Sequence, residues 1–203
     1  LGRALNDAAQ ATLSGPRFAG AARRMSRFPV PDILPALGER FSPKAFAEQA
    51  VPDAALMTLF RAFSWAPSCY NDQPWRLIVG QRDAADDTTW KKLLALCAER
   101  NRQWARTAPV LMLSVAVSRY RHNGEPNRFA EHDVGLAMGN LLAQATALGL
   151  VAHQVGGYDD ESAVQAFALP EFCRPMAVVA LGYHGDPATL PKGVAERAPT
   201  DRE

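Results

Sequence analysis

Three stretches of the chain carry polar or glycine residues where a folding core would not demand them. The first is Arg40-Phe41-Ser42-Pro43-Lys44. Alternate side chains of an extended segment share a side, so Arg40, Ser42 and Lys44 could offer two cations and a hydroxyl to one anion, such as a phosphate monoester. A solvated basic strand edge would carry the same residues. The second stretch is Ala66-Pro67-Ser68-Cys69-Tyr70-Asn71-Asp72-Gln73-Pro74-Trp75-Arg76. Its Asn71 and Gln73 amides both donate and accept, which suits the edge of a planar heterocycle, and two prolines stiffen the backbone around them. A plain turn between a helix and a strand would also use these residue types. The third is Gln154-Val155-Gly156-Gly157-Tyr158. Paired glycines at a strand end let the backbone approach a ligand with no Cβ in the way, or form a tight turn.

The elements that must position these segments are visible in the apolar spacing. Pro52 opens a helix in which Leu56, Leu59, Phe60 and Phe63 recur every three or four residues, and Pro67 closes it. Leu77, Ile78 and Val79 form a short strand ended by Gly80. Asp86, Asp87 and two threonines start a second helix lined by Trp90, Leu93, Leu94 and Cys97. Val110 to Val117 is apolar or small on both alternations, so it reads as a strand buried on both faces. His132 to Leu148 repeats Val134, Met138, Leu141, Leu142, Ala145 and Leu148 with helical spacing, and Gly149 stands at the C-terminal cap. Gly135 and Gly139 each cost this helix about 1 kcal/mol, so something is expected to approach its backbone closely, a neighbouring helix or one from another subunit. Strand, helix and strand follow at 151–155, 159–167 and 176–182. Phe28 to Pro35, with three prolines, reads as an extended arm.

Composition bounds the rest. The chain has 203 residues, 48% apolar and 21% charged, with a net charge of +1, the proportions of one soluble globular domain. So small a charge gives no field suited to tracking nucleic acid, and no apolar run reaches the length of a membrane span. Cys69, Cys97 and Cys173 form no C-x-x-C and no histidine-spaced zinc pattern, so neither disulfides nor a metal site is expected and a reducing cytoplasm fits. Arginine outnumbers lysine 18 to 4, and Arg3, Arg17, Arg23, Arg24 and Arg27 crowd the N-terminus. Residues 1–24, acid-poor and arginine-bearing, read as a flank outside the fold, with an organellar transit peptide as the alternative, and residues 25–203 as a single domain.

The stretch from Trp65 to Val79 resembles the signature loop and strand of the nitroreductase family of flavin-dependent oxidoreductases. The likeness continues through Asn101–Ala105, Ala108–Val110, Asn127–Asn140, Ala147–Asp159 and Ala180–Pro187, in order and without a large gap, covering roughly residues 28–202. It implies an α+β FMN-binding fold, with a central mixed β-sheet flanked by helices, and an intertwined homodimer that builds both active sites at the subunit interface. By that resemblance Arg40, Ser42 and Lys44 are phosphate and ribityl contacts, and Arg202 is a further phosphate ligand near the C-terminus. Pro67, Ser68, Cys69 and Asn71 form the loop that reaches the flavin from the partner subunit, with Gln73 supporting it or touching the flavin. Val155, Gly156 and Gly157 cover one ring face, with a backbone N–H toward flavin N5, and Asn101 approaches the pyrimidine end.

The implied activity is hydride transfer from NADH or NADPH to flavin N5, then reduction of a nitroaromatic, quinone or similar acceptor in the same site by a ping-pong mechanism. Because the flavin does the chemistry, no side chain is required as a catalytic acid. The alternatives are a specialised flavin reaction (flavin cleavage, dehydrogenation or dehalogenation) and a non-catalytic FMN-binding module. Cys69 is expected to pack rather than react, since no neighbouring His or Lys would lower its pKa. His132 and Asp133, at a helix start, are expected to cap it. The segment from Ser118 to Pro126 is short, which leaves the site open to assorted acceptors.

Overall fold

The computed structural model describes residues 32–199. Residues 1–24 lie outside them, as does the first half of the proline-rich arm; the arm ends at Pro35, which opens helix α1 (Pro35–Gly38). Helix α2 (Asp53–Ser64) buries Ala55, Leu56, Leu59 and Phe63, the stripe its three-and-four spacing implies. Pro52 sits just ahead of its first turn, where a missing N–H costs nothing.

Strand β1 (Trp75–Gln81) runs past Gly80, which the sequence had placed at the strand's end. Helix α3 (Thr88–Leu96) explains the difference, because a Cβ on Gly80 would collide with the backbone of Trp90. That glycine lets a helix lie directly on the strand. Burial raises the Cys97 thiol to about 11 against the opposing charge of Arg102, which makes it an inert packing group. Helix α4 (Glu99–Ala105) was not foreseen, since Trp104 and Ala105 are its only buried residues and no apolar period announces it.

Strand β2 (Val110–Val117), helix α5 (Ala130–Ala147) and strand β3 (Val151–Val155) fall where the apolar patterns put them. Helix α6 (Asp160–Ala166) is capped by the Asp159 carboxylate, which accepts from the Ser162 amide at 2.9 Å. Strand β4 (Cys173–Gly182) and the short helix α7 (Lys192–Ala195) complete the chain's described elements.

The class is α+β as expected, but the described strands pair antiparallel throughout, in the order β1-β2-β4-β3, where the sequence implied a mixed sheet. The physical reason lies in the connections: the helices between β1 and β2 return the chain to the end it left, so Gln81 faces Val110. The same return places Val117 opposite Cys173. Alternation along β2 then builds two cores. Val110, Met112 and Ala116 face α2 and α5, while Leu111, Leu113 and Val115 face the side of α3 and α4. Both sheet faces are therefore covered, which is why β2 reads as apolar on both alternations.

Candidate functional site

Residues 40–44 lead into a short bridge between Phe46 and His184, fixed by the Ala47 amide on the Tyr183 carbonyl and the Gly185 amide on the Ala45 carbonyl. This docks the segment beside the end of β4. Arg40 Nη1 donates to Ser42 Oγ at 3.3 Å, so these two are brought together as expected. Lys44 Nζ instead donates to the Arg197 carbonyl at 3.1 Å, tying the segment to the chain beyond α7. A residue that sequence reasoning passed over joins them: His153 on β3, whose Nδ1–H donates to the Pro43 carbonyl at 2.9 Å while its ring lies 4.4 Å from that of Trp104. Burial holds the His153 pKa below its ordinary value, and the charges of Lys44 and Arg40 push it the same way, opposed by the bonds to the Pro43 and Ser42 backbone. Burial thus favours the neutral imidazole, and its bond to Pro43 pins the cationic segment in place. The only advance sign was a histidine at an inner position of a strand.

Val155 is buried at the end of β3, and the exposed Gly156 follows. A Cβ built on Gly156 would meet nothing within 4 Å. At Gly157 a Cβ would come within 2.5 Å of Asn101 Nδ2, because that amide donates to the Gly157 carbonyl at 3.0 Å. The Ala98 amide reaches the same carbonyl at 2.9 Å. The start of α4 therefore clamps the glycine turn, and Asn101, assigned by resemblance to a ring edge, has this bond as its visible work. The turn presents bare backbone with open space above it.

The loop between α2 and β1 is built differently. Tyr70, Asn71 and Gln73 adopt φ of 55°, 51° and 52°, left-handed conformations costing about 1 kcal/mol each outside glycine, somewhat less for Asn. Hydrogen bonds offset that cost. The Gln73 amide donates to Ser68 Oγ at 3.0 Å, and Gln73 Nε2 to Asn71 Oδ1 at 3.1 Å. Buried Asp72 accepts from the Arg121 amide at 2.8 Å.

Asp133, 3% exposed, accepts from the Cys69 amide at 3.0 Å and lies 3.3 Å from His132 Nδ1. This corrects the capping role expected for His132 and Asp133: α5 begins at Ala130 after Phe129, and its N-terminus has no side-chain cap. The signal was available in the sequence, since Asp133, Ala137 and Leu141 are four apart and share the buried face. A carboxylate there must find a donor, and it found the loop. Cys69 Sγ lies 3.4 Å from the Tyr120 hydroxyl; that bond, with burial and the nearby Cys69, Tyr70 and Asp133, raises the tyrosine pKa to about 12. Pro67 and Asn71 are exposed at the loop surface.

Two groups of predicted residues thus form, not one. Arg40, Ser42, Lys44, Asn101, Val155, Gly156 and Gly157 gather on the β3 side, whereas residues 67–73 lead into β1 at the opposite edge. Three strand spacings, about 14 Å, separate the edges. Arg202 lies outside the described residues. Among those residues no cluster of His, Cys, Asp and Glu could hold a metal ion, and no helix is long and apolar enough to cross a membrane.

The described chain is thus an α+β fold, a sheet covered on both faces with a cationic segment docked at one side of it and bare backbone at a strand end. The model of the nitroreductase family matches residues 37–183, and the chain belongs to that family. It is similar to a solved FMN-containing oxidoreductase at 32% identity and a TM-score of 0.77, covering 91% of this chain and 92% of that one. A Desulfovibrio desulfuricans structure in complex with FMN is 30% identical, with a TM-score of 0.62 over 73% of this chain and 84% of that one. An NADH dehydrogenase of Thermus thermophilus is 28% identical over 181 residues, 76% of this chain and 88% of that protein.

Proposed function

We propose that the chain is an FMN-dependent oxidoreductase that takes hydride from NADH or NADPH and reduces electron-poor acceptors such as nitroaromatics or quinones. Membership of the nitroreductase family makes it an enzyme of the oxidoreductase class. The observation that carries the reading is the pairing of the Arg40–Ser42–Lys44 cluster with the open Gly156 turn on one side of the sheet. The residues fit the cofactor: the cations and hydroxyl suit its phosphate, and the empty space over Gly156 would admit a flat ring that any larger side chain would push away.

Bound FMN would supply the hydride chemistry of both half-reactions at its N5 atom. The chain's own work is placement. Arg40, Ser42 and Lys44 would hold the phosphate, with Arg202 assigned beside them by resemblance. His153 keeps their segment aimed by its bond to Pro43 and stays neutral beside two cations. Neither Gly156 nor Gly157 donates an amide hydrogen bond within the described residues, so an N–H remains to face a ring nitrogen. Asn101 fixes the angle of that turn.

The unit that works is two copies. About 14 Å of sheet lies between the glycine turn and the loop of Pro67, Ser68, Cys69, Asn71 and Gln73, so the loop would serve the turn of a second copy. The exposed face of α2 and α5 suits that contact: Trp65 is 85% and Leu136 40% exposed, and Cβ atoms at Gly135 and Gly139 would meet nothing within 4 Å. Among the described residues no element makes the close approach expected at these glycines.

An absorbance spectrum of the purified protein with FMN, followed by anaerobic NADPH and then a nitroaromatic, tests the proposal. A bound flavin band that bleaches and returns supports it. A band that never bleaches indicates a binding module instead, and no band at all sinks the cofactor assignment.

A further inference from the structure

We propose that a groove at the β1 edge binds an organic anion, seating its carboxylate or phosphate among Arg76, Arg119 and Arg121. The site is named as one for a redox partner on the strength of the oxidoreductase reading above; the groove itself is a matter of geometry. Its volume is about 240 Å³, and it continues into a hollow of about 260 Å³ through shared walls at Arg119 and Phe172.

A shared groove sets these arginines apart, since all three line it. Arg82, Arg102 and Arg174 each lie against a carboxylate, Asp83, Glu99 and Glu131 respectively. Among the described residues Arg76, Arg119 and Arg121 meet none within 4 Å. Two of them are nonetheless held in place. Arg76 Nη1 donates to the Trp75 carbonyl at 2.6 Å and the Gln73 carbonyl at 3.3 Å, and Arg119 Nη1 donates to the Gly124 carbonyl at 3.0 Å. Asp72 also lines the groove, buried and accepting the Arg121 backbone amide, so one carboxylate stands there against three arginines and the surplus charge is positive. Three cations line one groove, two of them fixed by carbonyls, and they retain N–H donors suited to an oxyanion.

The rest of the lining defines the ligand's body. Phe172 is 40% exposed and offers an apolar surface for a flat or aliphatic part. Glu171 lines only the adjoining hollow, which leaves Asp72 as the carboxylate in the groove's own wall. Gln73 forms part of the wall and bonds Asn71, which sets the groove against the loop assigned to the flavin. Two ligands share this chemistry: a carboxylated acceptor and the 2′-phosphate of NADPH.

Calorimetric titration of the FMN-loaded protein separates them. 4-Nitrobenzoate and NADP+ are titrated beside 4-nitrobenzyl alcohol and NAD+, which lack the charged group, into the wild type and an Arg76→Gln/Arg121→Gln variant. The variant is expected to lose about tenfold in affinity for one anionic ligand while its uncharged or unphosphorylated counterpart shifts less than about twofold. Loss in the nitrobenzoate arm assigns an acceptor, and loss in the NADP+ arm assigns the nucleotide phosphate. Unchanged affinity in both arms, or equal loss for each pair, overturns the proposal. A second measurement needs no variant: between about 0.05 and 0.5 M salt, wild-type affinity for the anionic ligand must weaken more steeply than that of its counterpart, and equal slopes count against the groove. The titration involves no turnover, so failure of the groove and failure of the oxidoreductase reading are separate results.

Discussion

The two edges of the sheet solve the problem of holding a ligand in opposite ways. At the β3 edge the backbone is relaxed, and recognition comes from what is left out: no side chain at Gly156, a clamped carbonyl at Gly157, and cations docked from a distant segment. At the β1 edge the backbone is strained at Tyr70, Asn71 and Gln73 and is kept there by Asp72, Asp133 and Ser68. The first edge is fixed by the fold itself. The second depends on buried polar anchors, so it should be the first to loosen when one anchor is lost.

Substitutions can break this contrast. The largest effect is expected at the relaxed edge, where Arg40→Ala with Lys44→Ala should weaken FMN binding about a hundredfold, since each charge-assisted contact contributes about 1.5 kcal/mol or more. Fluorescence titration of FMN measures it, and an unchanged affinity would remove the phosphate assignment. Next comes the strained edge: Asp133→Ala leaves the Cys69 amide buried without its acceptor and should cost about 2 kcal/mol in urea unfolding. Asp133→Asn retains an acceptor and should lose clearly less. If the two variants match, the carboxylate is not what holds the loop.

Gly156→Val sharpens the comparison further, because stability and binding should separate. Among the described residues nothing lies within 4 Å of a Cβ there, so unfolding should move by less than about 0.5 kcal/mol, while FMN affinity falls about tenfold. Equal FMN affinity would place the ring elsewhere. The smallest effect is on pH. His153 has a lowered pKa in the folded chain, so the unfolded chain binds the extra proton first on acidification. Its contribution is complete above the ordinary histidine value and declines as pH falls through the folded one. Thermal melts of the wild type and His153→Gln across that range should converge on the acid side, and parallel curves would count against a buried neutral imidazole.

What could be read in advance follows the same division. Strand β2 and helix α5 were legible because both bury a periodic set of large side chains, and the family loop was legible because Pro67, Asn71, Gln73 and Trp75 occur together. Helix α4 was not, since its buried surface is one tryptophan and one alanine. Strand pairing was not either, because each strand states which residues it buries and not which neighbour it meets. Gly80 was misplaced for want of knowing that α3 crosses there. Asp133 reads as a cap in the sequence because its nearness to a helix start is plainer there than the buried face on which it lies.

One side chain turns the proposed assembly into something that can be watched. Trp75, Trp90 and Trp104 are buried at 6%, 7% and 1% exposure, while Trp65 is 85% exposed at the end of α2. The chain therefore carries one indole in water and three in apolar surroundings, and a long-wavelength shoulder in its emission is expected from Trp65. If a second copy covers that face, dilution should bring the shoulder back with no added label, and Trp65→Phe should abolish the change.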